Sequence, residues 1–332
     1  MAKRRVIDGA NIFLSGGAGF IGSNFAELLV ELGANVTVYD NLSSGRYEFI
    51  RHLAGRRGFR FVKGDLLEMG QLKRSIDRDT DMIIHLAANP DVALGTKRTR
   101  LDLEQGTIAT YNVLEAGRLR DVSDFMFSSS SVVYGMASVR PTPEDYGPLL
   151  PISLYGASKL AGEGLITSFS HLFGMRHYIF RFANVVGKNS THGVALDFAR
   201  RLRLNPRRLV VLGDGRQRKS YIDVQDCVRA MAHIYLHDRG GCVYNLATDG
   251  QTQVSRIAKM VIDRFAPLAQ IKYTGGRQGW PGDVPNAYLS NRRMKAAGVK
   301  LRYGMSDEVV SNFVQRWLPV EVDPLDRKGV AK

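Results

Sequence analysis

The sequence predicts an α/β fold in which a doubly wound parallel sheet carries a smaller, interleaved C-terminal lobe. Three observations lead there. Short β-rich apolar runs alternate with helical apolar spacing through the first half of the chain. A glycine-rich loop joins the first of these runs to the first helical pattern. The chain has 332 residues, 44% of them apolar and 23% charged, which suits a sizeable core and excludes disordered, collagenous and coiled-coil classes.

Taken in order, residues 11–14 read as a buried strand and residues 24–32 as a helix. Residues 35–39, 59–62 and 81–86 supply further strands, 107–118 a helix, and 124–127 and 178–182 two more strands. Strands separated by helices imply βαβ units with right-handed crossovers. Beyond residue 182, loops bearing glycine and proline interrupt helices near 195–203, 224–237 and 254–265. The expected layout is a first domain over 1–182 completed by parts of 220–247, a lobe mainly over 183–320, and a polar tail at 321–332. There is no internal repeat, low-complexity tract or long linker.

The 46 lysines and arginines outnumber 32 acids, a formal charge of +14. The bases are dispersed, with clusters at Arg200-Arg201-Arg203, Arg207-Arg208, Arg216-Arg218-Lys219 and Arg292-Arg293-Lys295. No zinc-finger spacing, RNP-like aromatic motif or helix-turn-helix signature accompanies them, so a solvated basic face is expected, with anion binding at one or two clusters and no nucleic-acid partner. Cys227 and Cys242, the only cysteines, exclude a disulfide framework and a four-cysteine zinc site. His233 and His237 stand four apart on a predicted helix but have no evident third ligand, and no metal is expected. Lys3-Arg4-Arg5 ahead of Ile12-Phe13-Leu14 imitates a signal peptide, yet the glycines from Gly16 cut the apolar region short and a strand explains it better. A soluble, cytoplasmic protein without membrane association is expected.

The segment Leu14-Ser15-Gly16-Gly17-Ala18-Gly19-Phe20-Ile21-Gly22 links strand to helix. Glycines at 16, 19 and 22 permit a tight turn, close approach to a pyrophosphate and close helix–strand packing, as in a Rossmann-type dinucleotide site. The helix start adds free N–H donors for that anion. Asp40 ends the second strand 18 residues beyond Gly22. A carboxylate there accepts from the adenosine ribose hydroxyls and repels a 2′-phosphate, favouring NAD over NADP. The plainer reading is a turn aspartate. Arg46, six residues on, is a weaker argument for a 2′-phosphate.

Tyr155-Gly156-Ala157-Ser158-Lys159 opens a helical pattern, and a spacing of four puts Tyr155 and Lys159 on one face. An ammonium beside a phenol favours the phenolate and lowers its pKa, which makes Tyr155 a base near neutral pH. Upstream, Ser128-Ser129-Ser130-Ser131 closes a strand at the carboxyl edge of the sheet, where a hydroxyl can bond a reacting alcohol. Each piece alone is an ordinary helix surface or polar loop.

Together these pieces resemble the extended short-chain dehydrogenase/reductase family, in its NAD-dependent nucleotide-sugar epimerase and dehydratase group. Further matching segments are Gly64-Asp65-Leu66, His85-Leu86-Ala87-Ala88, Arg181-Phe182-Ala183-Asn184-Val185-Val186-Gly187, Gly213-Asp214-Gly215, Tyr221-Ile222-Asp223-Val224 and Gly282-Asp283-Val284-Pro285. The resemblance implies a catalytic trio of Ser130, Tyr155 and Lys159, with Ser131 the neighbouring alternative to Ser130 and Lys159 also on the nicotinamide ribose. It implies an NAD site of Gly16, Gly19, Phe20, Ile21, Gly22, Asp40, Asn41, Ser43, Gly45, Asp65, Leu66, Leu86, Ala87 and Ala88. For the sugar nucleotide it implies Ser130, Asn184, Val194, Lys219, Tyr221, Arg277, Asp283 and Ala287. A homodimer formed through two helices is likewise implied.

This sequence departs from the family pattern at several positions. Lys219 stands where an arginine commonly holds the diphosphate, and Trp280 occupies a second arginine position, leaving Arg277 or Arg218 to rebuild that clamp. Gly106 replaces an asparagine. Ser131 and Val132 fill the places where a dehydratase carries Asp-Glu, and a related decarboxylase also uses a glutamate there. The expected reaction is therefore 4-epimerisation of a nucleotide sugar through a transient 4-keto intermediate, with dehydratase, reductase or silent NAD-binding module as alternatives. The same resemblance implies that Ala287, or Tyr288 after a one-residue shift, falls at the position that gates the sugar pocket in similar 4-epimerases; a small residue there predicts acceptance of UDP-N-acetylglucosamine alongside UDP-glucose.

Overall fold

The computed structural model describes residues 6–318; the basic start Lys3-Arg4-Arg5 and the expected tail at 321–332 lie outside the described residues. The first half alternates strand and helix: β1 (Asn11–Ser15), α1 (Phe20–Glu31), β2 (Asn35–Asp40), β3 (Phe59–Lys63), α2 (Met69–Ser75) and β4 (Met82–His85). A short helix, α3 (Thr99–Asp102), passes through a π-helical segment at Leu103–Ile108 into α4 (Ala109–Arg118). β5 (Asp124–Ser130), α5 (Leu154–Phe173) and β6 (Arg176–Phe182) follow. Then come β7 (Asn184–Val186), α6 (Val194–Leu204), β8 (Arg208–Val211), β9 (Arg218–Lys219), β10 (Tyr221–Asp223), α7 (Val224–His237) and β11 (Cys242–Leu246). The chain continues through β12 (Thr252–Gln253), α8 (Val254–Phe265), β13 (Gln270–Tyr273), β14 (Asn286–Ala287), α9 (Arg292–Ala296) and α10 (Ser306–Asn312).

Seven parallel strands form the main sheet in the order β11-β6-β5-β4-β1-β2-β3. Helices cover both faces, which is why β4 is buried along its whole length and β5 along all but its last residue, and why their sequences run apolar rather than alternating. One face packs Phe25 and Leu29 of α1 and Met231 and Ile234 of α7 into the core. The other packs Leu72, Val113, Leu114 and Ile166. A separate core of Leu196, Phe198, Leu209, Val261, Ile262, Val310 and Phe313 holds together the segments after β6. β11 returns from that excursion to pair with β6, setting Cys242 against Tyr178 and Leu246 against Phe182.

Two elements begin earlier than the periodicity predicts. α1 starts at Phe20 rather than residue 24, because the glycine turn itself feeds the helix while contributing no apolar signal. The helix expected from 107 begins at Thr99, and the wide turn at Leu103–Ile108 shifts its apolar face out of register with a 3.6-residue period. Among the described residues no helix is long and apolar enough to cross a membrane.

Candidate active site

Strand order reverses between β1 and β4, and a cleft of about 960 Å³ opens at the carboxyl ends of these strands, bounded on its far side by the second lobe. Its floor is the glycine turn. Gly16 adopts φ +73°, and a Cβ there would run into the backbone of Ala87, while one at Gly22 would run into the Gly16 carbonyl. No side chain caps α1, so its first N–H groups face the cleft. At the end of β2, Asp40 accepts from Ala18 N at 3.0 Å and from Leu42 N at 2.9 Å. Burial pushes its carboxyl up from the usual range, and those two N–H bonds oppose the shift. Gly45 lies against this carboxylate, where any side chain would collide with it. An anion cradle that admits no Cβ, next to an acceptor at the strand end, fits a dinucleotide with free ribose hydroxyls.

At the other end of the floor, β5 delivers Ser130 and α5 delivers Tyr155 and Lys159. Ser130 is extended and accepts from Val132 N at 3.4 Å, and the Ser153 hydroxyl caps α5 by accepting from Gly156 N at 3.1 Å. Lys159 is 3% exposed; its Nζ donates to the Ser128 carbonyl at 2.6 Å and lies 5.8 Å from the centre of the Tyr155 ring. Burial pushes the ammonium down to about 7, with Glu163 and Asp102 opposing. Below it, His85 is fully buried between Ser15 at 2.6 Å and Thr110 at 3.0 Å, and is pushed down to about 3 by burial and by the Lys159 charge. The Tyr155 phenol corrects the sequence expectation. Rather than being lowered by Lys159, it is pushed up to about 12, because burial dominates, Asp102 adds to it, and only a hydrogen bond with Ser130 opposes.

Gly16, Gly19, Phe20, Ile21, Gly22, Asp40, Asn41, Ser43, Leu66, Leu86, Ala87, Ala88, Ser130, Tyr155, Lys159, Asn184, Val194, Lys219, Tyr221 and Asp283 all line this one cleft. Gly45 and Asp65 stand one layer back; Asp65 accepts from Asn41 Nδ2 at 3.1 Å and so orients a residue that does line it. Arg277 is exposed and off the lining, so the structure does not bring it to the cleft. Neither is Ala287 there: it sits in β14, paired with Lys219 of β9, and the Tyr288 hydroxyl turns to Gly250 N at 3.4 Å. Lys219 is committed to Asp283 at 2.5 Å. His192, Phe198, Arg200 and Arg201 also line the cleft, as does Trp280. The family resemblance implies that the 192–221 segment and its counterpart near 280 hold the base and diphosphate, but sequence reasoning did not single out these residues within it. The Arg200-Arg201 cluster was its visible signal; the glycine and proline loops around it hid which cluster turns inward.

The chain matches the NAD dependent epimerase/dehydratase family over residues 12–247. It is similar to the UDP-glucose 4-epimerase of Mycolicibacterium smegmatis, 31% identical over 287 residues, covering 85% of this chain and 90% of that protein. A crystal structure of a UDP-galactose 4-epimerase superposes with a TM-score of 0.82 at 37% identity, covering 92% of this chain and 97% of that one. The UDP-glucose 4-epimerase of Thermotoga maritima, solved with UDP-glucose, gives a TM-score of 0.83 at 29% identity over 93% of this chain and 99% of that one. With the glycine cradle, the strand-end aspartate and the Ser–Tyr–Lys arrangement gathered in one cleft of a parallel sheet, the chain belongs to the NAD dependent epimerase/dehydratase family.

Proposed function

We propose that the protein is an NAD-dependent nucleotide-sugar 4-epimerase acting on a UDP-hexose. The observation that carries this reading is the meeting of Ser130, Tyr155 and Lys159 beside the glycine cradle in one cleft, with Ser131 and Val132 supplying no carboxylate for elimination. The cradle, Asp40 and Lys159 hold the dinucleotide. When bound, NAD supplies the acceptor and donor of hydride at the sugar carbon, and its positive nicotinamide ring favours the phenolate. Tyr155 takes the proton of the sugar 4-hydroxyl and later returns it to the same oxygen, which Ser130 holds by a hydrogen bond. Lys159 keeps a positive charge near the phenol. With Lys219 paired to Asp283, Arg200 and Arg201 outnumber the neighbouring Asp197 and leave the far end of the cleft net positive, which suits a diphosphate.

Named relatives that act on UDP-sugars favour UDP as the nucleotide. Both the 2-hydroxy and the 2-acetamido hexoses remain substrates in this reading, the gate at Ala287 being off the cleft lining. Exposed Tyr111, Leu172 and Phe173 on the outer faces of α4 and α5 support a homodimer through these helices, and the free thiols of Cys227 and Cys242 suit the cytoplasm. Incubating the purified protein with UDP-glucose, UDP-galactose and their N-acetyl counterparts, and reading C4 configuration by NMR, tests the proposal. Interconversion of at least one pair is expected; no inversion with any of the four would overturn it.

A further inference from the structure

Asp102 is buried in the wall behind the reacting centre and has no place in the mechanism above. It is 1% exposed, and among the described residues it is the only carboxyl with a buried oxygen that no hydrogen bond satisfies. Its Oδ1 accepts from Asn89 Nδ2 at 3.1 Å, and Asn89 lines the cleft. Its Oδ2 abuts Gly95, at a spot where any side chain would collide with it and would also touch Leu154, the residue before Tyr155. Asp102 is the last residue before the π-helical segment at Leu103–Ile108, and that segment packs Gly106 onto Ser158 of α5. A π-turn is a costly irregularity, and here it seats a carboxyl beside the catalytic helix.

We infer that Asp102 is a positioning residue, a sealed negative charge behind Asn89 and Gly95 that sets the proton balance of the Tyr155–Lys159 pair. The charged neighbours leave it this role. Glu163, the other carboxylate near Lys159, is held by Arg181 at 2.7 Å. Burial pushes the Asp102 carboxyl up and the like charge of Asp91 adds to this, while the hydrogen bond from Asn89 and the positive charge of Lys159 oppose it. Arg100 on its own segment is taken by Glu104 at 2.5 Å on the surface. His85, the remaining titratable group against Lys159, is neutral when buried. The directions agree with this placement: Asp102 pushes the phenol up and holds the ammonium up against burial.

The inference rests on the reading of Tyr155 and Lys159 as the reacting pair with Lys159 at the cofactor, so its test reads cofactor binding as well as turnover. NAD affinity of the wild type should weaken as pH rises through about 7, where Lys159 loses its proton. In Asp102→Asn, which keeps shape and removes charge, the midpoint should fall by about half a pH unit or more. The acid limb of kcat should move the same way. Asp102→Ala removes the charge but also packing, and should show the same displacement with a lower Tm. Unmoved midpoints, or displacements that follow lost stability rather than lost charge, would overturn the inference. Absence of epimerase turnover would defeat the functional reading alone, leaving the binding comparison to decide.

Discussion

A phenol pushed up to about 12 is protonated at neutral pH, so Tyr155 acts as a base only with positive charge brought beside it. Tyr155→Phe should lower kcat by ~10²–10⁴-fold, the usual contribution of a general base, while NAD stays bound. Steady-state kinetics, with mass spectrometry of the nucleotide released on denaturation, check both halves. In the proposed reading, Asp40 governs cofactor choice through charge. Asp40→Ala should reduce the preference for NAD over NADP by ~10-fold or more, since it removes both a ribose acceptor and the repulsion of a 2′-phosphate. Dissociation constants for the two cofactors measure it. These residues are legible in sequence because fixed spacing brings them together: four residues along a helix for Tyr155 and Lys159, a strand end for Asp40 and Ser130. Asp102 is not legible, since the π-turn that seats it breaks the period by which a sequence shows which side faces inward.

At the scale of elements, α5 is tied to the sheet by more than its apolar face. Glu163, four residues after Lys159, accepts a bidentate bond from Arg181 of β6 at 2.9 and 2.7 Å, and Arg181 also donates to the Tyr134 hydroxyl at 2.9 Å. Both partners are buried. Arg181→Met should cost ~3–5 kcal/mol in urea unfolding, because it strands a buried carboxylate, whereas Arg181→Met with Glu163→Met together should recover most of that loss. Equal destabilisation in the single and double variants would contradict this account. Strands β1 to β6 and the main stretches of α1, α4 and α5 were predictable because each is an apolar run or stripe, whereas α2 and the segment ahead of the π-turn were not. The short strands β7, β9, β10, β12 and β14 were not, being two or three residues long and defined by partners distant in sequence.

The molecule as a whole carries an acid weakness at its centre. His85 is pushed down to about 3 in the fold against an ordinary 6.5, so the unfolded chain binds a proton in that window and the folded chain does not. Stability should therefore fall as pH drops below about 6.5, by up to ~1.4 kcal/mol per unit from this group, and His85→Gln should make the decline shallower. Urea midpoints between pH 7 and 4.5 report it. A last consequence comes from β11. The strand that completes the sheet next to β6 arrives only after the chain has passed through β7, α6, β8, β9, β10 and α7. A truncation at residue 182 would thus leave β6 as a bare edge, its unpaired backbone open to any other strand in solution. The dinucleotide half of this protein is not a detachable cassette: gene fragments ending there should yield aggregate, and transplanting the cofactor site to another scaffold requires bringing its distant neighbour along.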